Sequence, residues 1–295
     1  MKSYTIFEAI PDYLEKTVKV LPFNIKNPSE QWGEIFDGFT NIFQRLIDGF
    51  ESSQISAIVI GGSIGKGTFD HFSDIDLGVL TKNIASTRSS IERIYGPAET
   101  IEDKKTSLSF HYGPGKIGSR RIEIRISPES LLYEMRDKIT EGFPLSQIEQ
   151  DFLANFTAEN VIFGNQEIIS LINGLHYSED QANYDIKQNV VLVRDYGFQR
   201  LIERQDFALY FYYFSVCKRA LINLIYADNR VFHRGYKHES KLRDKLKKYP
   251  HLLMNNLDQC FFNPSLDSVK IFFDSFEEYR QSLYRGSDHA IDSEK

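Results

Sequence analysis

The stretch Ile58–Leu80, IVIGGSIGKGTFDHFSDIDLGVL, constrains this chain more than any other part of its sequence. It reads as an apolar strand, a glycine-rich turn, a short polar connection and a second strand carrying Asp74 and Asp76. Side chains alternate across a strand, so the two aspartates share one face while Ile75 and Leu77 share the other. Two carboxylates one pleat apart offer the hard oxygen ligands that magnesium prefers. A glycine turn beside them can bring backbone N–H groups and the Ser63 hydroxyl up to a nucleotide's phosphates. The combination points to phosphoryl or nucleotidyl transfer.

Two other glycine motifs are excluded by position. Ile60 and Gly67 stand where a P-loop needs its first glycine and its Ser or Thr, and Asp70 stands where the dinucleotide fingerprint needs its third glycine. The order Gly-Ser, spacer, Asp-x-Asp instead resembles the signature of the polymerase-beta-like nucleotidyltransferase superfamily. Gly62, Ser63, Lys66, Gly67, Ser73, Asp74, Asp76 and Leu77 carry the likeness. It is most similar to the bacterial antibiotic nucleotidyltransferases, acting on aminoglycosides and lincosamides, with their Gly-Ser-x-x-Arg-Gly and Ser-Asp-Ile-Asp-Leu pattern. Lys66 replaces the usual Arg, which keeps the charge and loses the guanidinium fork.

The resemblance implies an α+β fold, a nucleotidyltransferase-type mixed sheet with flanking helices, followed by a C-terminal all-helical domain. It implies that Asp74 and Asp76 hold one or two Mg²⁺ ions and that Gly62, Ser63, Lys66 and Thr68 bind the phosphates of ATP or another nucleoside triphosphate.

Composition fits a two-domain enzyme: 295 residues, 41% of them hydrophobic, can fill two cores. A net charge of −6 argues against a general nucleic-acid surface and suits a cationic small-molecule acceptor. Cys217 and Cys260 show neither disulfide nor metal spacing and sit in apolar helical surroundings, as buried thiols in a reducing cytoplasm would. The segment after Met1 lacks a signal-peptide core, and no apolar run reaches membrane-spanning length.

In chain order, apolar residues at helical spacing predict a helix over about 30–50, with Trp32 and Phe36 on its core stripe. Ala57–Ile60 and Asp74–Leu80 are expected to pair as strands, and Ile84–Tyr95 to form the next helix. Alternation over Thr106–Tyr112 and Arg120–Ile126, around turn residues 113–118, predicts a hairpin. In it the isoleucines share one face, leaving Glu123 with Arg121 and Arg125 on the other. By itself such a glutamate reads as a cross-strand ion pair. The resemblance adds a third carboxylate beside the Asp-x-Asp strand, so Glu123 is similar to the family's catalytic base and a third candidate metal ligand.

Beyond Pro128 the pattern is mainly helical, with a short strand at Asn160–Phe163 and a helix at Ile168–Ile172. The polar stretch Ser178–Asp185 is expected to be the linker between a catalytic domain, 1–177, and a helical acceptor-binding domain, 178–295. Helices are expected near 186–204, 206–226, 238–247 and 266–284. Phe211, Tyr212, Tyr213 and Phe214 must face several directions, mostly into a core. Asp228 and Glu239 are candidates for a cationic acceptor, and Lys237 for the triphosphate. Asn229 and Lys237-His238 resemble, more weakly, the helix-end Asn and downstream Lys of the antibiotic enzymes.

The expected reaction is transfer of AMP from ATP to an acceptor hydroxyl, with an aminoglycoside-like antibiotic among the implied acceptors. Two other readings stay open at this point: a protein-modifying adenylyltransferase acting as an antitoxin, and a catalytically silent nucleotide-binding regulator. A HEPN-type ribonuclease is unsupported, because only two residues separate Arg230 from His233.

Overall fold

The computed structural model describes residues 45, 55–65, 73–104, 107–117, 120–157, 160–233 and 246–285. The expected helices over 30–50 and 238–247 lie outside the described residues, apart from helical Arg45 and the end of the second range. The chain divides into two compact units, one of residues 1–141 and 145–176, the other of residues 142–144 and 177–295.

The first unit is built on a six-stranded mixed sheet. Its strands are β1 (Ile55–Ile60), β2 (Ile75–Thr81), β3 (Thr100–Lys104), β4 (Ser107–Tyr112), β5 (Ile122–Pro128) and β6 (Val161–Gly164). They are ordered β3-β4-β5-β2-β1-β6. Between β1 and β2 lies a single helical turn, α1 (Gly62–Gly65), and α2 (Ile84–Tyr95) follows β2. The strand, helix, strand, helix order read from the sequence is thus present. β2 and β5 run parallel, whereas β1–β2, β1–β6, β3–β4 and β4–β5 are antiparallel. The β4–β5 hairpin and the β1–β2 pair are as the alternation predicted.

Alternation sets the two faces of this sheet. Ile58, Ile60, Ile75, Leu77, Val79, Phe110, Tyr112, Ile122, Ile124 and Ile126 turn to one side and bury there with Ile91 and Tyr95 of α2. Asn83 caps α2 by accepting a hydrogen bond from Ser86 N at 3.1 Å, which starts the helix directly after β2. On the other side Val59 stands opposite Gly78, and next to Gly164 an added Cβ would meet Ala57 and Ile169. That part is covered by α3 (Ser130–Thr140), α4 (Gln147–Asn155) and α5 (Gln166–Gly174), whose Leu132, Met135, Leu153, Ile168 and Ile172 are buried. Across β5, β4 and β3 the same face carries polar residues instead.

The sequence reading missed β3. Its five residues, TIEDK, are all exposed. Charges on an edge strand block edge-to-edge pairing and also erase the apolar alternation by which a strand is read.

The second unit is helical: α6 (Glu179–Val190), α7 (Phe198–Glu203), α8 (Phe207–Asp228), α9 (His251–Phe262) and α10 (Leu266–Arg285). They bury a core in which Phe198, Phe214, Leu221, Leu224, Leu257 and Phe272 are at most 0% exposed. Phe211 and Tyr213 pack against this core, while Tyr212 is 62% exposed, so the aromatic run faces several ways as expected.

The linker reading of Ser178–Asp185 is overturned. Ser178 Oγ accepts from Gln181 N at 3.1 Å, Glu179 and Asp180 occupy the first turn, and the stretch is the capped start of α6. Its polarity is that of a helix N-terminus. The expected continuous helix over 186–204 also breaks after Val190. Asp195 Oδ1 accepts from Gly197 N at 2.8 Å and Phe198 N at 3.0 Å, which restarts the chain as α7. The helix α9, not expected from the sequence, begins at His251 after Pro250.

Candidate active site

Strand register brings two of the sequence-predicted carboxylates together. Asp76 on β2 is the direct neighbour of Glu123 on β5, and Glu123 in turn faces His111 on β4. Adjacent strands lie about 4.8 Å apart, so the two acids are neighbours on the polar face of the sheet. Asp74 lies just ahead of β2 and is exposed. The chain before β2 is held there by Ile75 N donating to Arg121 O at 3.0 Å and Arg120 Nη1 donating to Ser73 O at 3.0 Å.

The glycine turn closes over the same spot. Gly61 N donates to Asp76 O at 2.8 Å, which fixes the start of the turn against β2. Gly62 has φ 58° and a Cβ added there would lie 1.6 Å from Asp76 Oδ2, so only glycine lets the carboxylate and the turn share this space. An added Cβ at Gly65 would lie 2.3 Å from Ile60 O, which explains the second glycine. Ser63 follows Gly62 within α1. Lys66, Gly67, Thr68, Lys237, His238 and Glu239 lie outside the described residues.

Glu123 is held by neighbours on its own face. Arg125 Nη2 donates to Glu123 Oε1 at 2.8 Å, and Arg125 Nε donates to Ser109 Oγ at 3.2 Å. Burial by itself would raise the carboxyl pKa of Glu123. The charge and hydrogen bond of Arg125, the Ser109 hydroxyl and the charge of His111 outweigh it and hold the group below the usual carboxylate range. The ion pair therefore lies along one strand, between residues 123 and 125, rather than across strands. Glu123 is thus paired with an arginine of its own strand and stands in register beside Asp76.

Ser109 and His111 were not singled out in the sequence. The alternation over 106–112 puts them on the polar face of β4, but only the hairpin register sets them beside Arg125 and Glu123. Asn160 is another such residue. It is 8% exposed, its backbone oxygen accepts from Ile60 N at 2.9 Å, and its side chain donates to Asn155 O at 3.0 Å, bracing the strand that leads into the glycine turn.

The donor set fits a hard divalent cation in part. Asp74, Asp76 and Glu123 supply carboxylate oxygens, and Gly62 leaves open the room beside Asp76 Oδ2 that a side chain would fill. Among the described residues, no three His, Cys, Asp or Glu side chains gather closely enough to hold an ion by themselves. Magnesium commonly takes one or two carboxylates and completes its octahedron with phosphate and water oxygens, so a two-carboxylate site suits it.

In the helical unit, Asp228 is bound to Lys248 Nζ at 2.7 Å. Asn229 is fully engaged with backbone, donating to Ile225 O and Lys248 O at 2.7 Å each and accepting from Lys248 N at 2.8 Å. It ties the chain at Lys248 to the end of α8. Cys217 and Cys260 are free and buried, and burial pushes their thiols up to about 11 and about 12, which makes them poor nucleophiles. Among the described residues no helix is long and apolar enough to cross a membrane.

The chain was compared with known proteins and structures. No curated protein matches it. A nucleotidyltransferase-like protein from Exiguobacterium sibiricum 255-15 is similar in structure at 11% sequence identity, over 86% of this chain and 81% of that one, with a TM-score of 0.38. Residues 43–133, less than half of the chain, match the model of the nucleotidyltransferase domain, and this stretch contains the glycine turn, Asp74, Asp76 and Glu123.

Proposed function

We propose that this protein transfers AMP from ATP to a hydroxyl of a small-molecule acceptor and releases pyrophosphate. The observation that carries the reading is the register of Asp76 beside Glu123 under the Gly62 turn, within a segment that matches the nucleotidyltransferase domain. Asp74 and Asp76 would hold the metal, with phosphate and water oxygens completing its shell. Magnesium, when bound, would neutralise the triphosphate and lower the pKa of the acceptor hydroxyl. The turn at Gly62 and Ser63, with Lys66 and Thr68, would hold the phosphates, and Lys237 is a further candidate for them. Glu123 is ionised at neutral pH, so its carboxylate can receive the acceptor's proton and, beside Asp76, add to the metal's ligands.

Residues 1–177 would form the catalytic part and 178–295 the acceptor-binding part. A cationic, aminoglycoside-like acceptor suits the net charge of −6. Buried free thiols suit a reducing cytoplasm. The test is pyrophosphate release from each nucleoside triphosphate with Mg²⁺ over a panel of aminoglycosides, lincosamides and candidate protein acceptors. Release with an antibiotic that gains a nucleotide mass supports the reading. A protein that gains this mass would favour the protein-modifying alternative, and ATP binding with no release from any acceptor would leave a nucleotide-binding regulator.

A further inference from the structure

Two carboxylates set side by side in neighbouring strands repel each other, and partial burial strengthens that repulsion. Here an internal cation meets one of them: the Arg125 guanidinium lies 2.8 Å from Glu123 Oε1. Ser109, 0% exposed, anchors the pair by accepting from Arg125 Nε at 3.2 Å. The Arg125 side chain is nevertheless 43% exposed, against 23% for Glu123, so its fork can turn toward a ligand on the open face without unpacking the core. A guanidinium fork fits a carboxylate and a phosphate equally well in shape. Other cations on this face are differently placed: Lys104 pairs with Glu102 at 3.0 Å, His111 Nε2 lies 3.6 Å from the same glutamate, and Arg121, just ahead of β5, is exposed.

We infer that Arg125 is the resident counter-ion of Glu123, the neighbour of Asp76, and exchanges Glu123 for the triphosphate of an incoming nucleotide, so that metal and nucleotide load together. This rests on the nucleotidyl-transfer reading of the same site. Without nucleotide, a divalent cation approaching the pair meets the guanidinium charge. With nucleotide, the phosphates draw Arg125 away and leave both carboxylates to the metal. Because linkage is reciprocal, nucleotide then strengthens metal binding by the same factor by which metal strengthens nucleotide binding.

The experiment measures Mn²⁺ binding to the full chain by electron paramagnetic resonance, first with the metal alone and then with α,β-methylene-ATP, which cannot be turned over. Mn²⁺ alone is expected to bind Arg125→Gln about tenfold more tightly than wild type, and the enhancement by the nucleotide analogue should shrink by about the same factor, within the usual span of coupling between sites. Arg125→Lys keeps the charge and loses the fork. It should bind Mn²⁺ alone as wild type does but show weakened coupling, and it carries the test if the Gln variant does not fold. Coupling unchanged in Arg125→Lys, or both quantities within twofold of wild type in Arg125→Gln, overturns the inference. If Asp76→Asn abolishes Mn²⁺ binding in that case, the site reading survives and only the exchange is wrong. If Asp76→Asn leaves Mn²⁺ binding intact, the carboxylate pair is not the metal site and both fall together.

Discussion

The polar face of the sheet and the helix starts of the second unit use their polar side chains differently. On the polar face of the sheet, Glu123 and Arg125 pair side chain to side chain along β5, Arg125 also donates to Ser109 on β4, and Asp76 and His111 flank Glu123 in register on β2 and β4. In the helical unit, Asp206 caps α8 by accepting from Leu209 N at 3.3 Å, Asp195 caps α7, Ser178 caps α6, and Asn229 is committed to the backbone at Lys248. A side chain that satisfies backbone can leave only if the local fold loosens. One that satisfies another side chain can be released by a ligand that offers the same charge. This difference supports placing the proposed chemistry on the sheet.

The comparison can be broken by four substitutions, taken from the largest effect down. Asp76→Asn removes charge from the site proposed to hold a cation beside a polyanion, so pyrophosphate release should fall by several orders of magnitude while the melting temperature changes little. Near-normal release would remove Asp76 from the site. Glu123→Gln should lower single-turnover transfer by about 10²–10⁴-fold, the usual contribution of a general base, without weakening ATP binding. The same variant should lose at most about 1 kcal/mol of stability, because its partner is half-exposed. Normal transfer with a lowered melting temperature would make Glu123 a structural partner of Arg125.

Glu123 also carries a pH signature. Its folded pKa is depressed, so its stabilising effect is present above the ordinary carboxylate pKa of about 4.3 and is lost as pH falls through the lower folded value. Acid unfolding of Glu123→Gln should therefore lack that component, which is readable by circular dichroism between neutral pH and strong acid.

In the helical unit, Phe272 is 0% exposed and packs edge-on to Phe214, with ring centroids 5.8 Å apart. Phe272→Ala should cost about 3–5 kcal/mol in a urea titration. The smallest effect belongs to Asp228→Asn. Its Lys248 partner is 64% exposed, and loss of such a pair should cost less than about 1 kcal/mol. A large loss of transfer in this variant, with stability kept, would give Asp228 a role at the acceptor and blur the contrast between the two units.

Much of the sheet was legible because its apolar residues alternate cleanly. Ile122, Ile124 and Ile126, or Ile75, Leu77 and Val79, can be sorted to one face by counting, and the helix Ile84–Tyr95 is bounded by its Asn83 cap and Gly96. Legibility failed where the local signal meant something else. β3 is an exposed edge whose charges mask its strand character. Residues 178–185 were read as a linker because a capped helix start and a loop have the same polar composition.

The order of residues alone determined the glycine turn, the spacing of Asp74 and Asp76, and the placement of Glu123 on the polar face of a strand, since these follow from local backbone geometry and the two-residue period of a strand. Which residues stand beside one another was decided only by the tertiary structure. The parallel β2–β5 pairing joins positions 76 and 123, with α2, β3 and β4 between them in the chain, and the antiparallel β4–β5 pairing adds Ser109 and His111. A one-residue slip in either register would send Glu123 or its neighbours to the opposite face or the next row. The burial of the isoleucines along β5 and of their apolar counterparts on β2 and β4 against α2 prevents that slip, so the register of the site is a consequence of the core beneath it.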